Sequence, residues 1–362
     1  MVGSIAFALP FCSKVPFISY RLVVYSELRK EKGCGQFWGA ERKKLDLLCE
    51  RCNRSSPSHS FIRNSPTMKS DQHCTLRVRG QVLDLTEEPV VMGILNHTPD
   101  SFYAGSRIQG EEAVEERIDR IIAEGAKIID VGGYSSRPDA DDVSQEEEWR
   151  RLREVLTAIR RHYPDVIVSV DTFRGEVARR CIEEGGADII NDISGGLIDP
   201  EMLPTAAQLD VPYILMHMRG TPKTMQKQLH YDGRVADGAI AELLSQLQKA
   251  LELGMRDENI IVDPGFGFSK NTEQNWEMMA DLDKWGDLGY PLLVGISRKS
   301  MIYKLFGYTP FEALNGTTFL NTYSLLHWAH ILRVHDVREC VECVRMYQEL
   351  RRLSDEDAKP ID

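Results

Sequence analysis

From Val90 onward, short apolar runs alternate with longer stretches whose apolar residues recur at helical spacing, the pattern of parallel strands joined by helical crossovers. Eight runs read as strands: Val90 to Asn96, Ile128 to Gly132, Val166 to Asp171, Ile189 to Asp192, Tyr213 to His217, Ile260 to Asp263, Leu292 to Ile296 and Ile331 to His335. Between them, stretches such as Glu111 to Glu124, Glu146 to His162, Gly175 to Glu184, Ala236 to Leu253 and Phe311 to Ala329 read as helices. Eight such units over about 270 residues match the size of a TIM (β/α)₈ barrel, roughly 250 residues. A doubly wound open sheet is the competing α/β reading. It calls for a Gly-rich nucleotide fingerprint after the first strand, where this chain has Asn96-His97-Thr98-Pro99-Asp100. Upstream, Thr75 to Val78 and Gln81 to Leu85 read as a short hairpin turning at Arg79-Gly80, suited to cap the barrel bottom.

Residues 1 to 67 differ in kind. They show no sustained period, mix basic runs with Ser and Pro, and carry a net charge of +6, whereas the rest of the chain carries −17. An apolar stretch preceding any charge does not fit a secretory leader, and five acidic residues do not fit a transit peptide. The expectation is therefore a barrel domain over residues 68 to 362, preceded by a disordered extension or a mis-assigned start, with translation opening at Met68.

An acidic body repels polyanions, which argues against nucleic acid as a partner, and the absence of an 18-residue apolar run argues against a membrane span. Any bound phosphate must be held by a few local cations and backbone N–H groups. Of eight cysteines, only Cys181, Cys340 and Cys343 lie beyond the first recognisable strand, a usage that points to the cytoplasm. Cys49-x-x-Cys52 has no second ligand pair at finger-like spacing and reads as chance.

Nearly every strand ends in a residue able to bond, coordinate or ionise: Asn96, Asp130, Asp171, Asn191 with Asp192, His217, Asp263, Ser297 with Arg298, and Arg333 with His335. In a barrel these ends converge on the face where active sites sit. Some could instead cap the following helices, but that does not account for Lys299, Arg333 or His335.

Taken in order, Met92-Gly93-Ile94-Leu95-Asn96, Thr98-Pro99-Asp100-Ser101-Phe102, Ser169-Val170-Asp171-Thr172, Asn191-Asp192-Ile193, Leu215-Met216-His217-Met218, Asp263-Pro264-Gly265-Phe266-Gly267-Phe268, Ser297-Arg298-Lys299-Ser300 and Arg333-Val334-His335-Asp336-Val337 resemble the dihydropteroate synthases, folate-pathway transferases targeted by sulfonamides. The resemblance spans about Thr75 to Leu350. It implies that a 6-hydroxymethyl-7,8-dihydropterin pyrophosphate binds in the barrel mouth and that p-aminobenzoate displaces pyrophosphate in a dissociative, SN1-like step, giving 7,8-dihydropteroate.

The resemblance implies the following residue roles. Asp171, Asn191, Asp263 and Lys299 supply the polar edge of the pterin site, with Ile193 and Met216 as packing surfaces that could equally be ordinary core. Asp171, Asp263 and Lys299 are the candidate catalytic groups, the two carboxylates stabilising a developing pterin cation. Phe268, Ser300 and the loop residues Ser136, Arg137 and Pro138 face p-aminobenzoate. On chemical grounds Asn96 offers a hard oxygen to Mg²⁺, and Arg333 and His335 share a strand face and can hold pyrophosphate. Asn96 could also merely shape its turn, and His335 could be a satisfied core histidine.

The chain departs from the family pattern in places. The loop usually reading Gly-Glu-Ser-Thr-Arg-Pro-Gly is here Gly133-Tyr134-Ser135-Ser136-Arg137-Pro138-Asp139, so Tyr134 replaces an acid. His97 stands where Val is common, and Phe319, Asn321 and Tyr323 stand where small aliphatics are common. The family implies a homodimer. Two rival readings are a pterin-dependent methyltransferase, which needs no pyrophosphate site, and a non-catalytic pterin-binding paralogue.

Overall fold

The computed structural model describes residues 73–97, 110–134 and 143–357. The proposals for residues 1 to 67, including the Met68 start and the Cys49/Cys52 pair, lie outside them. A hairpin, β1 (Thr75–Val78) and β2 (Gln81–Asp84), precedes eight strands: β3 (Val90–Asn96), β4 (Ile128–Gly132), β5 (Ile167–Asp171), β6 (Ile189–Asp192), β7 (Tyr213–Met216), β8 (Ile260–Asp263), β9 (Leu293–Val294) and β10 (Ile331–Val334). The helices are α1 (Gly110–Ala123), α2 (Gln145–His162), α3 (Gly175–Glu183), α4 (Met202–Leu209), α5 (Val235–Glu252), α6 (Thr272–Ala280), α7 (Asp283–Gly286), α8 (Ser300–Phe306), α9 (Leu314–Leu326) and α10 (Val337–Asp357).

The eight strands pair in parallel in the order β8-β7-β6-β5-β4-β3-β10-β9. A single parallel bridge, Val262 to Leu292, joins β8 to the entrance of β9 and closes the wall. The architecture is the (β/α)₈ barrel the pattern predicts. Four of the eight strands are shorter than expected: β5 begins at Ile167, β7 ends at Met216, β10 ends at Val334, and β9 spans two residues rather than Leu292 to Ile296, where the chain leaves the ladder toward a turn in which Arg298 adopts φ +53°.

Local signals fix the helices. Ser144 caps α2, accepting the Glu147 N–H at 3.2 Å, with Glu146 to Glu148 in its first turn and Arg160 to His162 in its last, each charge complementing the helix dipole. Trp149, Leu152, Val155, Leu156 and Ile159 form its buried face. The stretch read as one helix from Phe311 opens as a 3-10 turn, Pro310–Ala313, before α9, since Thr309 and Glu312 form a capping box ahead of Pro310.

The hairpin turns at Arg79 (φ +52°) and Gly80 (φ +71°), the two left-handed residues that a two-residue turn demands. Leu76, Val78 and Leu85 pack onto Met92, Ile128, Ile167, Ile189, Ile214, Ile261, Leu293 and Ile331, one residue from each barrel strand. Arg79 ties the hairpin tip to Asp188 at 2.9 Å and to the Pro164 carbonyl at 2.9 Å. The hairpin therefore closes the barrel floor, as expected from its sequence. Leu76 is fully buried there, so Leu76→Ala is expected to cost about 2–5 kcal/mol. The urea midpoint should fall while turnover at 25 °C stays near that of the parent, because the floor lies at the opposite end from the strand tips.

Candidate active site

The strand register assembles the site at the carboxyl ends. Asn96 lies opposite Gly132, Gly132 opposite Asp171, and Asp171 opposite Asn191, so one row of the parallel ladder sets these side chains across three strand gaps. Met216 lies opposite Asp263 on the far side. Gly132 is what lets the row close up. A Cβ there would meet Asn96 Oδ1 at 3.1 Å and the Asp171 Cβ at 3.7 Å.

At the centre, Arg333 Nε donates to Asp130 Oδ2 at 2.6 Å and Nη2 donates to Asp171 Oδ2 at 2.6 Å. Asn191 Nδ2 donates to both Asp130 oxygens, at 3.3 and 3.2 Å. Asp130 is fully buried. Two carboxyl groups thus share one guanidinium in a largely buried setting. Burial raises the Asp171 pKa, Arg333 opposes it, and the Asp130 charge adds to the rise. Arg333, expected to present its fork to pyrophosphate, turns Nε and Nη2 sideways into this cluster.

Asp263 closes the other side. Its Oδ1 accepts the Gly265 N–H at 2.7 Å, and burial raises its pKa. Lys299 donates to the Phe266 carbonyl and stands 4.7 Å from the Phe268 ring centroid. Burial lowers its pKa to about 8, while the nearby Asp263 charge opposes the fall. Gly267 (φ +83°) leaves the space Lys299 uses: an added Cβ would stand 3.2 Å from its Cδ. Ile193 and Met216 are buried with Met218 and Met225, and Phe173, Ile198 and Phe268 pack on them. The core reading and the pterin-surface reading of Ile193 and Met216 therefore describe the same side chains.

His335 is paired with Ser297. The hydroxyl accepts the His335 backbone N–H at 3.2 Å and lies 3.0 Å from Nδ1. Desolvation, then the Arg333 cation, lowers the imidazole pKa, so it is neutral at pH 7. In the tautomer where Ser297 donates to Nδ1, the ring proton sits on Nε2 and can be donated to an anion. Arg298 does not join an anion site. It forms a two-point pair with Asp336 at 2.8 Å each and donates to the Pro310 and Phe311 carbonyls, so it fastens loops. Ser300 follows as the first residue of α8.

Asp192 and His217 fit the bland reading of strand-end polar residues. Asp192 accepts Ser194 N and Oγ at 2.8 Å, Gly196 N at 2.6 Å and Tyr213 OH at 2.6 Å, all within its own turn and wall. His217 turns outward to Glu242 on α5, 3.2 Å away.

Ser136, Arg137 and Pro138 lie outside the described residues, as does Thr98 to Phe102. The root of the second loop is visible. Tyr134 meets Phe173 edge-on at 5.2 Å, and the Arg174 guanidinium lies over both rings, at 5.5 and 5.1 Å. Arg174 in turn pairs with Glu148, which is fully buried and also accepts Thr172 Oγ1 at 2.7 Å.

Asp130, Ser297, Glu148 and Lys270 had no site role in the sequence reading. Asp130 and Ser297 were visible as strand-end residues, but nothing in the sequence names their partners. Glu148 is one of three consecutive acids, and only its helical phase distinguishes it from Glu146 and Glu147.

A parallel barrel whose mouth joins an Asp–Arg–Asp cluster, a buried Asp beside a lysine and an apolar shelf has the shape of a pterin-binding barrel enzyme. The family described as "Pterin binding enzyme" matches residues 92–335. The chain is 42% identical to dihydropteroate synthase of Escherichia coli K12 over 273 residues, 75% of this chain and 95% of that protein. It is 43% identical to the Streptococcus pyogenes dihydropteroate synthase over 263 residues, 72% and 95% of the two chains. The Yersinia pestis dihydropteroate synthase, solved with a sulfonamide drug, superposes with TM-score 0.71 at 37% identity, covering 77% of this chain and 99% of that one. The Xanthomonas albilineans dihydropteroate synthase in complex with 7,8-dihydropteroate gives TM-score 0.68 at 34% identity, covering 76% and 98%. The chain belongs to the dihydropteroate synthase family of transferases.

Proposed function

We propose that the chain condenses 6-hydroxymethyl-7,8-dihydropterin pyrophosphate with p-aminobenzoate to give 7,8-dihydropteroate and pyrophosphate. The observation that carries this reading is the register row Asn96, Asp171 and Asn191, facing Asp263 and Lys299 across one barrel mouth. A pterin is a flat ring with donors on one edge and acceptors on the other. Asp263, Asn191 and Lys299 match such an edge, and Ile193 and Met216 give it an apolar bed.

Departure of pyrophosphate leaves positive charge on the pterin methylene. Asp171 and Asp263 are carboxylates already fixed by neighbours, so they meet that charge without reorganising. Lys299 holds the pterin carbonyl, and His335 Nε2–H with the remaining Arg333 N–H groups receives the departing anion. The amine of p-aminobenzoate, seated against Phe268 and Ser300 under the Ser136 to Pro138 loop, then closes the C–N bond and passes its proton to the departed pyrophosphate or to water. Carbon–oxygen cleavage before carbon–nitrogen bonding suits a site that offers carboxylates to a cation.

Mg²⁺ fits the residues as an ion held mostly by substrate. Among the described residues no group of three or more acids, histidines or cysteines could cage a metal. Asn96 Oδ1, reaching over Gly132, is a hard neutral oxygen of the kind Mg²⁺ combines with phosphate oxygens and water. When bound there, Mg²⁺ would neutralise charge on the leaving pyrophosphate. Activity is expected to vanish in EDTA and return with added Mg²⁺.

The test is product formation from both substrates. Pyrophosphate release without 7,8-dihydropteroate would reject the synthase reading, and failure to rescue a folate-pathway auxotroph while binding pterin would favour the non-catalytic paralogue.

We also propose a homodimer built on the α8–α9 face. Leu305, Phe306, Tyr308 and Phe311 are exposed, Phe311 to 82%, and Phe319 on α9 to 66%. Such a patch on an acidic body is suited to a second copy of itself. Phe319→Asp is expected to shift the sedimentation coefficient to that of a monomer; an unchanged value would place the contact elsewhere. Cys74, Cys181, Cys340 and Cys343 are buried and free, which supports a cytoplasmic location. No helix among the described residues is long and apolar enough to cross a membrane.

A further inference from the structure

The run from Gly265 to Lys270 carries Phe268 and the Phe266 carbonyl that receives Lys299. It is conformationally demanding: Gly265, Gly267 and Ser269 adopt φ of +67°, +83° and +48°. At its end Lys270 is buried, at 2% exposure. Its Nζ lies 3.0 Å from His217 Nδ1, 3.1 Å from the Gly265 carbonyl and 3.0 Å from the Phe268 carbonyl.

The donor directions in this cluster can be assigned. Carbonyl oxygens only accept, so two N–H groups of Lys270 are spent on Gly265 and Phe268. The third contact depends on His217, whose Nε2 faces Glu242 Oε2 at 3.2 Å. Glu242 also receives Arg219 Nε at 2.9 Å and Nη2 at 2.6 Å, and its pKa falls to about 2, so it is an ionised, acceptor-only group. His217 must then carry its proton on Nε2, which leaves Nδ1 to accept. Lys270 supplies the third N–H, and all three ammonium donors are used. A neutral amine has one N–H too few.

We propose that Lys270, held as an ammonium by the His217–Glu242 chain, is a positioning residue that fixes the Gly265–Phe268 loop for the second substrate. Lys270 reaches no substrate atom. It ties both ends of the turn that presents Phe268, and the same turn gives Lys299 its carbonyl partner. Further fasteners act from outside: Gly267 N donates to Asn275 Oδ1 at 2.6 Å, Arg219 N donates to Ser269 Oγ at 3.1 Å, and Tyr231 OH donates to the Ser269 carbonyl at 3.3 Å. Lys270 bonds both Gly265 and Phe268 through one side chain, adding to the turn's own bond from the Phe268 N–H to the Gly265 carbonyl at 3.1 Å.

The charge that Lys270 must keep is under pressure. Burial lowers its pKa to about 7, Asp263 and Glu242 support the charge, and Lys299 and Arg219 oppose it; His217 faces it as a neutral ring. The frame is therefore complete at lower pH and is lost as pH rises through that value.

The inference rests on the synthase reading above, and the experiment separates the two. In Lys270→Met the KM for p-aminobenzoate is expected to rise at least tenfold, while affinity for the dihydropterin pyrophosphate changes less than threefold. Lys270→Arg, which keeps charge and donors, should recover part of the loss. Should Lys270→Met not fold, Glu242→Gln on the surface of α5 serves. Its p-aminobenzoate KM should begin to rise with pH about one unit below the wild-type onset, since removing one anion favours the neutral amine. Substrate titrations are common to both proteins and cancel. A Glu242→Gln profile superimposed on wild type, or equal losses for both substrates in Lys270→Met, overturns the proposal. A wild-type protein forming no dihydropteroate refutes the synthase reading alone. The Lys270 frame is then read by amide hydrogen exchange at 265–268, which should quicken in Glu242→Gln at pH 8, and unchanged exchange overturns it.

Discussion

Replacing Asp263 by Asn is expected to lower kcat about 10²- to 10³-fold while leaving the fold intact, the loss typical of removing one preorganised electrostatic group. The substitution is nearly isosteric, and the amide oxygen can still accept the Gly265 N–H that now bonds Oδ1 at 2.7 Å, so the turn is retained. On the proposed mechanism, what disappears is the carboxylate that would face the developing pterin cation. Affinity for the pterin pyrophosphate should change much less than turnover if, as proposed, the carboxylate acts after the leaving group departs. A second signature follows from Lys299. Asp263 supports the Lys299 ammonium against burial, so its removal lowers a pKa already near 8, and the alkaline fall in activity should begin at lower pH. Asp171→Asn is expected to act in the same direction, with an added cost from the weakened Arg333 pair at 2.6 Å. Turnover near wild type in both variants would remove the carboxylates from the cation-stabilising role.

Asp130→Ala should be strongly destabilising, by about 2–5 kcal/mol, because it leaves two buried donors, Arg333 Nε and Asn191 Nδ2, without their acceptor while Asp171 still pairs the guanidinium. Asp130 is fully buried and receives Arg333 Nε and both bonds from Asn191 Nδ2. Without it, Arg333 leans wholly on Asp171, and the Asn191 amide loses the acceptor that orients it, which on the proposed function is its orientation toward the pterin. Urea unfolding should show the stability loss, and calorimetry should show weaker pterin binding in the same protein. Asp130→Asn tests orientation apart from charge. Its oxygen can still meet Arg333, but its amide would then point at Asn191 Nδ2, donor against donor, so pterin affinity should fall there too. A variant of wild-type stability would mean that Arg333 and Asn191 find other partners when Asp130 is absent.

These effects depend on features of unequal visibility in the chain. The Arg79-Gly80 turn, the Ser144 cap and the apolar runs of the strands are local properties, readable because turn geometry, helix ends and side-chain alternation are set by residues a few positions apart. Once eight parallel strands close on themselves, their carboxyl ends must gather at one face, so Asn96, Asp171, Asn191, Asp263, Lys299, Arg333 and His335 could be placed together from sequence.

Tertiary structure alone decided which of those groups oppose one another. Arg333 and Asp130 are 203 positions apart, and only the β10–β3–β4 pairing sets the guanidinium into a carboxylate cluster rather than wholly toward an anion. Arg298, equally charged and close in sequence, is consumed by Asp336 because φ +53° turns it away from the mouth. Lys270 shows the same separation most fully. Its buried Nζ meets the Nδ1 of His217, 53 positions earlier, at 3.0 Å, a partner that nothing in the local sequence names. Local sequence determines backbone geometry through short-range sterics and hydrogen bonds. The protonation and direction of a buried polar group depend on partners brought close by the closed barrel, and those distances do not exist along the chain.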